Sequence, residues 1–283
     1  MTTICQIDDW IEENKKDFVP PVCNKCMFAE QLKLFFVGGP NQRADYHLEE
    51  GEEVFYQRKG DMNLKVVENG VRRDLHIREG QIFLLPARVE HSPQRYENTI
   101  GFVVERTRKN TEFECVRYFV GDTTEKLFER WLHLTDVVKD LPPVIKEFKE
   151  SEECRTEKPG SASFTINAPF EPIPRKLEEP IVLEEWLKSH EEQLRKGSVE
   201  LYGAPHYKTS VIVYGTGSHE LHALTSDELL IWLKDGSMDL VTNGKTETVS
   251  GNAMIRLNPG ERAKITITSG NVITISMPTY GSN

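Results

Sequence analysis

The chain reads as an all-β dominated protein: two jelly-roll β-barrel domains joined by a Pro-rich linker, with a few short helices. Three observations lead there. Short apolar-polar runs broken by turn residues begin at Leu32, the same texture returns over 208–278, and between them lies a Pro-rich stretch of weak periodicity.

Ahead of the first runs, residues 8–16 (DDWIEENKK) have the spacing of a short amphipathic helix that stops before Pro20-Pro21. The runs that follow are LKLFFVGG, DYHLEE, EVFYQRKG, MNLKVVENG, RRDLHIREG, QIFLLPA and TIGFVVERTR, with Gly60-Asp61 and Asn69-Gly70 as turn signals between them. No helical pattern separates these runs, which favours antiparallel pairing. After Tyr118 the pattern changes, and residues 122–150 take helical apolar spacing with an expected break at Pro142-Pro143. Pro159, Pro169, Pro172, Pro174 and Pro180 then mark a linker. A helix is expected over 181–196, followed by the strands TSVIVYG, ELLIWLKDG, MDLVTNG, AKITIT and NVITISM. The expected division is a first domain over 1–160, a linker over 161–177 and a second domain over 178–283, an internal repeat of fold without visible repeat of sequence.

With 283 residues, 38% of them hydrophobic and 28% charged, the composition is that of a globular protein. A formal net charge of −10 disfavours nucleic acid and anionic membrane as partners. No apolar run approaches the roughly 18 residues of a membrane helix, and Asp8, Asp9, Glu12 and Glu13 interrupt any signal-peptide core. The expected location is the cytosol. Five scattered cysteines do not form a disulfide framework, and Cys23-Asn-Lys-Cys26 lacks the second pair a zinc site needs, so two reduced thiols are expected there.

Two constellations carry chemistry. In the first, His47 and Glu53 flank the turn-like Glu49-Glu50-Gly51, ahead of Gly60. In the second, Gly80 and Pro86 precede His91. Two imidazoles and one carboxylate make a facial triad, which leaves one face of iron(II) open for substrate and oxygen. Zinc with a bound water uses similar ligands, so ligand types alone do not fix the metal. A lone histidine in a β-rich chain is usually structural, and only the motif spacing lifts His47 and His91 out of that class. His219 and His222 fall where a second first motif would lie. Leu229 stands at the matching carboxylate position and no histidine follows the Gly251 to Pro259 stretch, so the second domain is expected to be metal-free.

Both constellations match the signature motifs of the cupin superfamily, with two departures: Glu49 replaces the usual second histidine, and Arg88 stands where glycine is expected. A side chain at that turn would resist a positive φ. FFVGGPNQRADYHLEEGEEVFYQRKGDM, then GQIFLLPARVEHSPQR, with PPVCNK at 20–25, RYFVGDTT at 117–124 and FERW at 128–131, closely resembles the animal 3-hydroxyanthranilate 3,4-dioxygenase family. The resemblance implies a bicupin, catalytic in its N-terminal half; because such a chain can bury within itself the surface that single cupins bury as dimers, a monomer is expected. It implies iron(II) held by His47, Glu53 and His91, with O2 and a small aromatic substrate. Arg43 would lie beside the oxygen, Arg95 would pair with the substrate carboxylate, and Glu105 would hydrogen-bond the amino or hydroxyl group, with Glu53 nearby. The implied reaction opens the ring of 3-hydroxyanthranilate to a semialdehyde that cyclises to quinolinate, within tryptophan breakdown and NAD synthesis. Alternation along a strand puts Arg43 on the face of His47, and Glu105 on the face of Gly101 and Val103. Cysteine dioxygenases, a rival cupin class, use three histidines, and the carboxylate of Glu53 speaks against them. A binding protein without chemistry would not need the complete ligand set.

Overall fold

The computed structural model describes residues 2–20 and 23–279; Pro21 and Val22 of the PPVCNK motif lie outside the described residues. Contacts group the chain into a central unit, Val37–Val103 with Thr107–Ile181, and a terminal unit, the described parts of Met1–Phe36 and Val182–Asn283 with Val104–Arg106.

The terminal unit opens with β1 (Thr3–Gln6), α1 (Ile7–Glu13), β2 (Asn24–Ala29) and β3 (Leu32–Gly38). The central unit follows: β4 (Tyr46–Glu49), β5 (Glu53–Lys59), β6 (Met62–Glu68), β7 (Val71–Ile77), β8 (Gln81–Leu85), β9 (His91–Arg95), β10 (Ile100–Arg106), β11 (Glu114–Phe119), β12 (Lys126–Leu132), α2 (Val137–Glu150), α3 (Glu152–Thr156) and β13 (Ile181–Val182). The terminal unit then resumes with α4 (Leu183–Ser189), α5 (Glu191–Leu194), β14 (Ser198–Tyr202), β15 (Ser210–Tyr214), β16 (Gly217–His222), β17 (Leu229–Leu233), β18 (Ser237–Thr242), β19 (Lys245–Ser250), β20 (Ala253–Leu257), β21 (Arg262–Ser269) and β22 (Val272–Ser276).

In the central unit one sheet runs β12-β11-β4-β9-β6-β7, and a second contains β13-β8-β5-β10 in that order. Alternation decides what lies between them. Met62, Leu64 and Val66 on β6 meet Phe55, Phe83 and Leu85 on β5 and β8 in one buried cluster. The hairpin expected at Asn69-Gly70 is present: Glu68 pairs with Val71, and φ is +50° at Asn69 and +78° at Gly70, as a tight primed turn requires. The terminal unit repeats the plan with sheets β1-β20-β17-β22-β15-β14 and β16-β21-β18-β19 around a core that includes Ile231, Met238, Ile255 and Ile265. Two antiparallel two-sheet units are the expected jelly-roll pair.

Four expectations change. Residues 2–36 do not group with the first domain. β1 pairs with β20, Ile7 N donates to Asn252 O at 2.9 Å, and Leu32 N donates to the Glu228 carboxylate at 2.8 Å, which tie them to the terminal unit. The helix expected over 122–150 is confined to Val137–Glu150, because Lys126–Leu132 pairs with β11 as an edge strand. That helix also runs through Pro142 and Pro143, which leaves two carbonyls four residues earlier without helical donors. Its apolar face, with Leu141 and Phe148, packs on Tyr118 and Phe128. The helix expected over 181–196 is two short ones separated at His190. Finally, the linker is anchored to the central unit: Glu129 N donates to Ser163 O (2.8 Å), Ile173 N to Arg88 O (2.9 Å) and Leu177 N to Glu68 Oε1 (2.6 Å).

Candidate metal centre

β4 and β9 are neighbours, and their register sets His47 opposite His91. Even spacing on β4 puts Glu49 on the face of His47, and even spacing on β9 puts Arg95 on the face of His91. Glu53 opens β5, in the facing sheet, immediately after the Glu50–Glu52 turn. Backbone joins the two motifs, since Arg88 N donates to Glu49 O at 2.8 Å.

Glu49, Glu53 and His91 converge: one ligand atom of each lies within 4.8 Å of the others, and all three residues are buried. Glu53 Oε1 is 3.3 Å from His91 Nε2. His91 Nδ1 donates to the Val89 carbonyl at 3.0 Å, which fixes the tautomer and leaves Nε2 facing the carboxylates. Burial pushes the Glu49 carboxyl well up, and Glu53 and Glu114 add to this against the pull of Arg108. Burial also works to raise Glu53, but His91 and a hydrogen bond from Glu49 outweigh it and hold Glu53 well below the usual range. Two buried carboxylates beside an oriented imidazole are a donor set suited to a divalent cation, whose charge offsets theirs. The oxygen and nitrogen donors fit iron(II).

His47 stands one strand away, its ring centroid 6.1 Å from that of His91. Its Nδ1 donates to the Glu114 carboxylate, while its Nε2 meets Arg43 and lies 3.0 Å from Asp45 Oδ2. Of the three expected ligands the structure thus brings Glu53 and His91 together. His47 faces a neighbouring cluster, and Glu49 completes the group. Burial works to lower the His47 imidazole, as does Arg43, but Glu114 and Asp45 prevail and raise it. Asp45 is held far below its ordinary value: burial opposes this, and Arg43 and His47 outweigh burial.

Arg43 is fixed at its backbone by Gln94, donating to Oε1 at 3.1 Å and accepting from Nε2 at 2.9 Å. Its guanidinium pairs with Asp45. Arg95 is 2% exposed, and among side chains its guanidinium meets Gln57 Oε1 at 3.2 Å. Burial lowers its pKa to about 10, against the pull of Glu53. Gly101 makes room for it: a Cβ there would sit 3.1 Å from Arg95 Nη1 and 2.4 Å from Gln57 Oε1. Glu105 is buried on the same strand as Gly101, in the stretch grouped with the terminal unit.

Sequence reasoning missed Arg108 and Glu114. Arg108 Nη2 lies 2.6 Å from both Glu49 Oε2 and Glu114 Oε2, so one buried guanidinium braces a carboxylate of the converging group and the carboxylate that orients His47. Only the register of β11 on β4, with Glu114 opposite Glu49, reveals this. For Glu49 a signal existed, because it holds the motif position where a ligand is usual. In the terminal unit His219 Nε2 donates to Gly215 O at 2.8 Å and packs edge-on to Tyr214, a local structural use. The five cysteines are free, and burial pushes the Cys26 thiol up to about 11.

Residues 1–149 match the family model described as 3-hydroxyanthranilic acid dioxygenase. Over 277 residues the chain is 54% identical to the 3-hydroxyanthranilate 3,4-dioxygenase of Caenorhabditis elegans, spanning 98% of each protein. It is 50% identical to that of Homo sapiens over 237 residues, 83% of this chain and 82% of the human one. Salicylate 1,2-dioxygenase from Pseudaminobacter salicylatoxidans shares the fold, with a TM-score of 0.62 at 11% identity over 98% of this chain and 83% of that one.

Proposed function

Because the chain belongs to the 3-hydroxyanthranilic acid dioxygenase family, we propose that it opens the ring of 3-hydroxyanthranilate with O2 to give 2-amino-3-carboxymuconate semialdehyde, the precursor of quinolinate. The observation that carries this reading is the buried convergence of Glu49, Glu53 and His91, with a guanidinium, Arg95, two residue pairs along from His91 on the same strand face.

In this proposal iron(II) is the metal and His47, Glu53 and His91 hold it, with Glu49 beside them. Iron held there would supply a redox-active centre for chemistry between the electron-rich ring and O2. Glu114 keeps the proton of His47 on Nδ1, so Nε2 offers its lone pair once it turns from Arg43 and Asp45. The Val89 carbonyl does the same for His91. Arg95 binds the substrate carboxylate, a planar anion that a guanidinium meets with paired hydrogen bonds. Its burial keeps competing water away and strengthens that pairing. Arg43 lies beside the oxygen and stabilises developing negative charge. Glu105 accepts a hydrogen bond from the substrate's amino or hydroxyl group and orients the ring. We place the protein in the cytosol, where free thiols persist. Among the described residues no helix is long and apolar enough to cross a membrane.

The test is direct. Protein loaded anaerobically with iron(II) should, on addition of 3-hydroxyanthranilate and oxygen, develop the near-ultraviolet band of the semialdehyde. No band with iron bound, or oxygen uptake only with a thiol, overturns the reading. His91→Ala should lose iron with the fold intact. Arg95→Ala should raise KM about tenfold or more, the scale of a lost charge-assisted hydrogen bond; an unchanged KM removes Arg95 from its role.

A further inference from the structure

Arg88 occupies the left-handed region, with φ +59°, in the turn that leads to His91. A side chain there is strained, and the neighbourhood must supply compensating contacts. Each part of Arg88 is held. Its N–H donates to Glu49 O at 2.8 Å, and its carbonyl accepts from Ile173 N at 2.9 Å. Its guanidinium donates to Glu50 Oε1 at 2.8 Å and stacks over the Phe170 ring, 4.7 Å from the centroid. Phe170 is itself buried against Leu48, Cys115 and Trp131, the last an edge-on contact at 4.8 Å. Leu48 lies between His47 and Glu49 on β4 and points away from them to the outer face. The segment that joins the two β units thus lies across the back of the sheet that carries the metal group.

We propose that Phe170–Ile173 is a strap that sets the geometry of the metal centre through Arg88, making Phe170 and Arg88 positioning residues. The Arg88 backbone hydrogen-bonds to both the strap and Glu49, and the next residue, Val89, supplies the carbonyl that orients His91. The strap acts on Glu49 and His91 together, from two different strands. It also explains the arginine: glycine would satisfy the backbone but could grip neither Phe170 nor Glu50. This proposal rests on the reading of Glu53, His91 and their neighbours as a metal site.

The test is a double-mutant cycle on iron(II) affinity in the full chain, read by competition with a chromogenic chelator and without substrate. Arg88→Gly suits the positive φ and should fold. It should bind iron about tenfold more weakly, the scale of lost supporting contacts around a metal ligand. Phe170→Ala should weaken binding similarly, Phe170→Tyr should stay within about twofold of the parent, and the double variant should be no weaker than Arg88→Gly alone. The visible spectrum of the cobalt(II)-substituted protein should shift in both single variants, which general destabilisation would not produce. Parental affinity in Arg88→Gly, or effects that simply add, overturns the strap. A parent chain that binds iron but yields no semialdehyde sinks the catalytic reading alone, and a parent that binds no iron sinks both.

Discussion

At the scale of single residues, the spacing of two short motifs singled out His47, Glu53 and His91, and the structure brings Glu53 and His91 together with Glu49 while His47 faces a neighbouring cluster. What surrounds them was not legible. Arg108 and Glu114 sit more than fifty residues from His47, and only strand register brings them beside it. The Arg108 side chain is 5% exposed and faces two carboxylates. Arg108→Met should leave Glu49 and Glu114 buried without their cation and cost about 3–5 kcal/mol in urea unfolding of the apoprotein. A cost below about 1 kcal/mol contradicts the brace. Burial works to raise Glu114, but Arg108 and His47 hold it down at about 2. A carboxyl held below its unfolded value contributes stability that is present above that value, about 4.3, and lost as pH falls toward 2. The apoprotein should therefore lose stability between roughly pH 5 and 2, and Arg108→Met should flatten that loss.

At the scale of elements, the turn residues were the reliable signals. Asn69-Gly70 predicts its hairpin, and the structure places both in the left-handed region. A Cβ at Gly70 would meet nothing within 4 Å, so Gly70→Ala tests backbone strain alone. It should cost about 1 kcal/mol by chemical denaturation, and no loss would mean that the turn relaxes. Lys126–Leu132 misled because Leu127, Phe128, Trp131 and Leu132 fall at helical spacing, while pairing with β11 decided the outcome. The Pro142-Pro143 break failed for a related reason, since packing of Leu141 and Phe148 holds the helix through it.

At the scale of the molecule, composition and strand count were enough to expect two jelly rolls. They could not show that residues 2–36 group with the terminal unit, which depends on the pairing of β1 with β20, nor that a Pro-rich segment strings along the central unit instead of hanging free. Proline content signals the absence of regular structure, and an irregular segment can still be anchored. One chain carries both β units, and light scattering should return the mass of a single chain. The central claim is that iron binds where Glu53 and His91 converge and that the substrate carboxylate is read by Arg95. Iron-edge anomalous diffraction on crystals of the iron-loaded, substrate-bound protein tests it. One peak is expected in the central unit, against His47, Glu53 and His91, with the carboxylate on Arg95. A peak elsewhere, or a carboxylate turned away from Arg95, would contradict it.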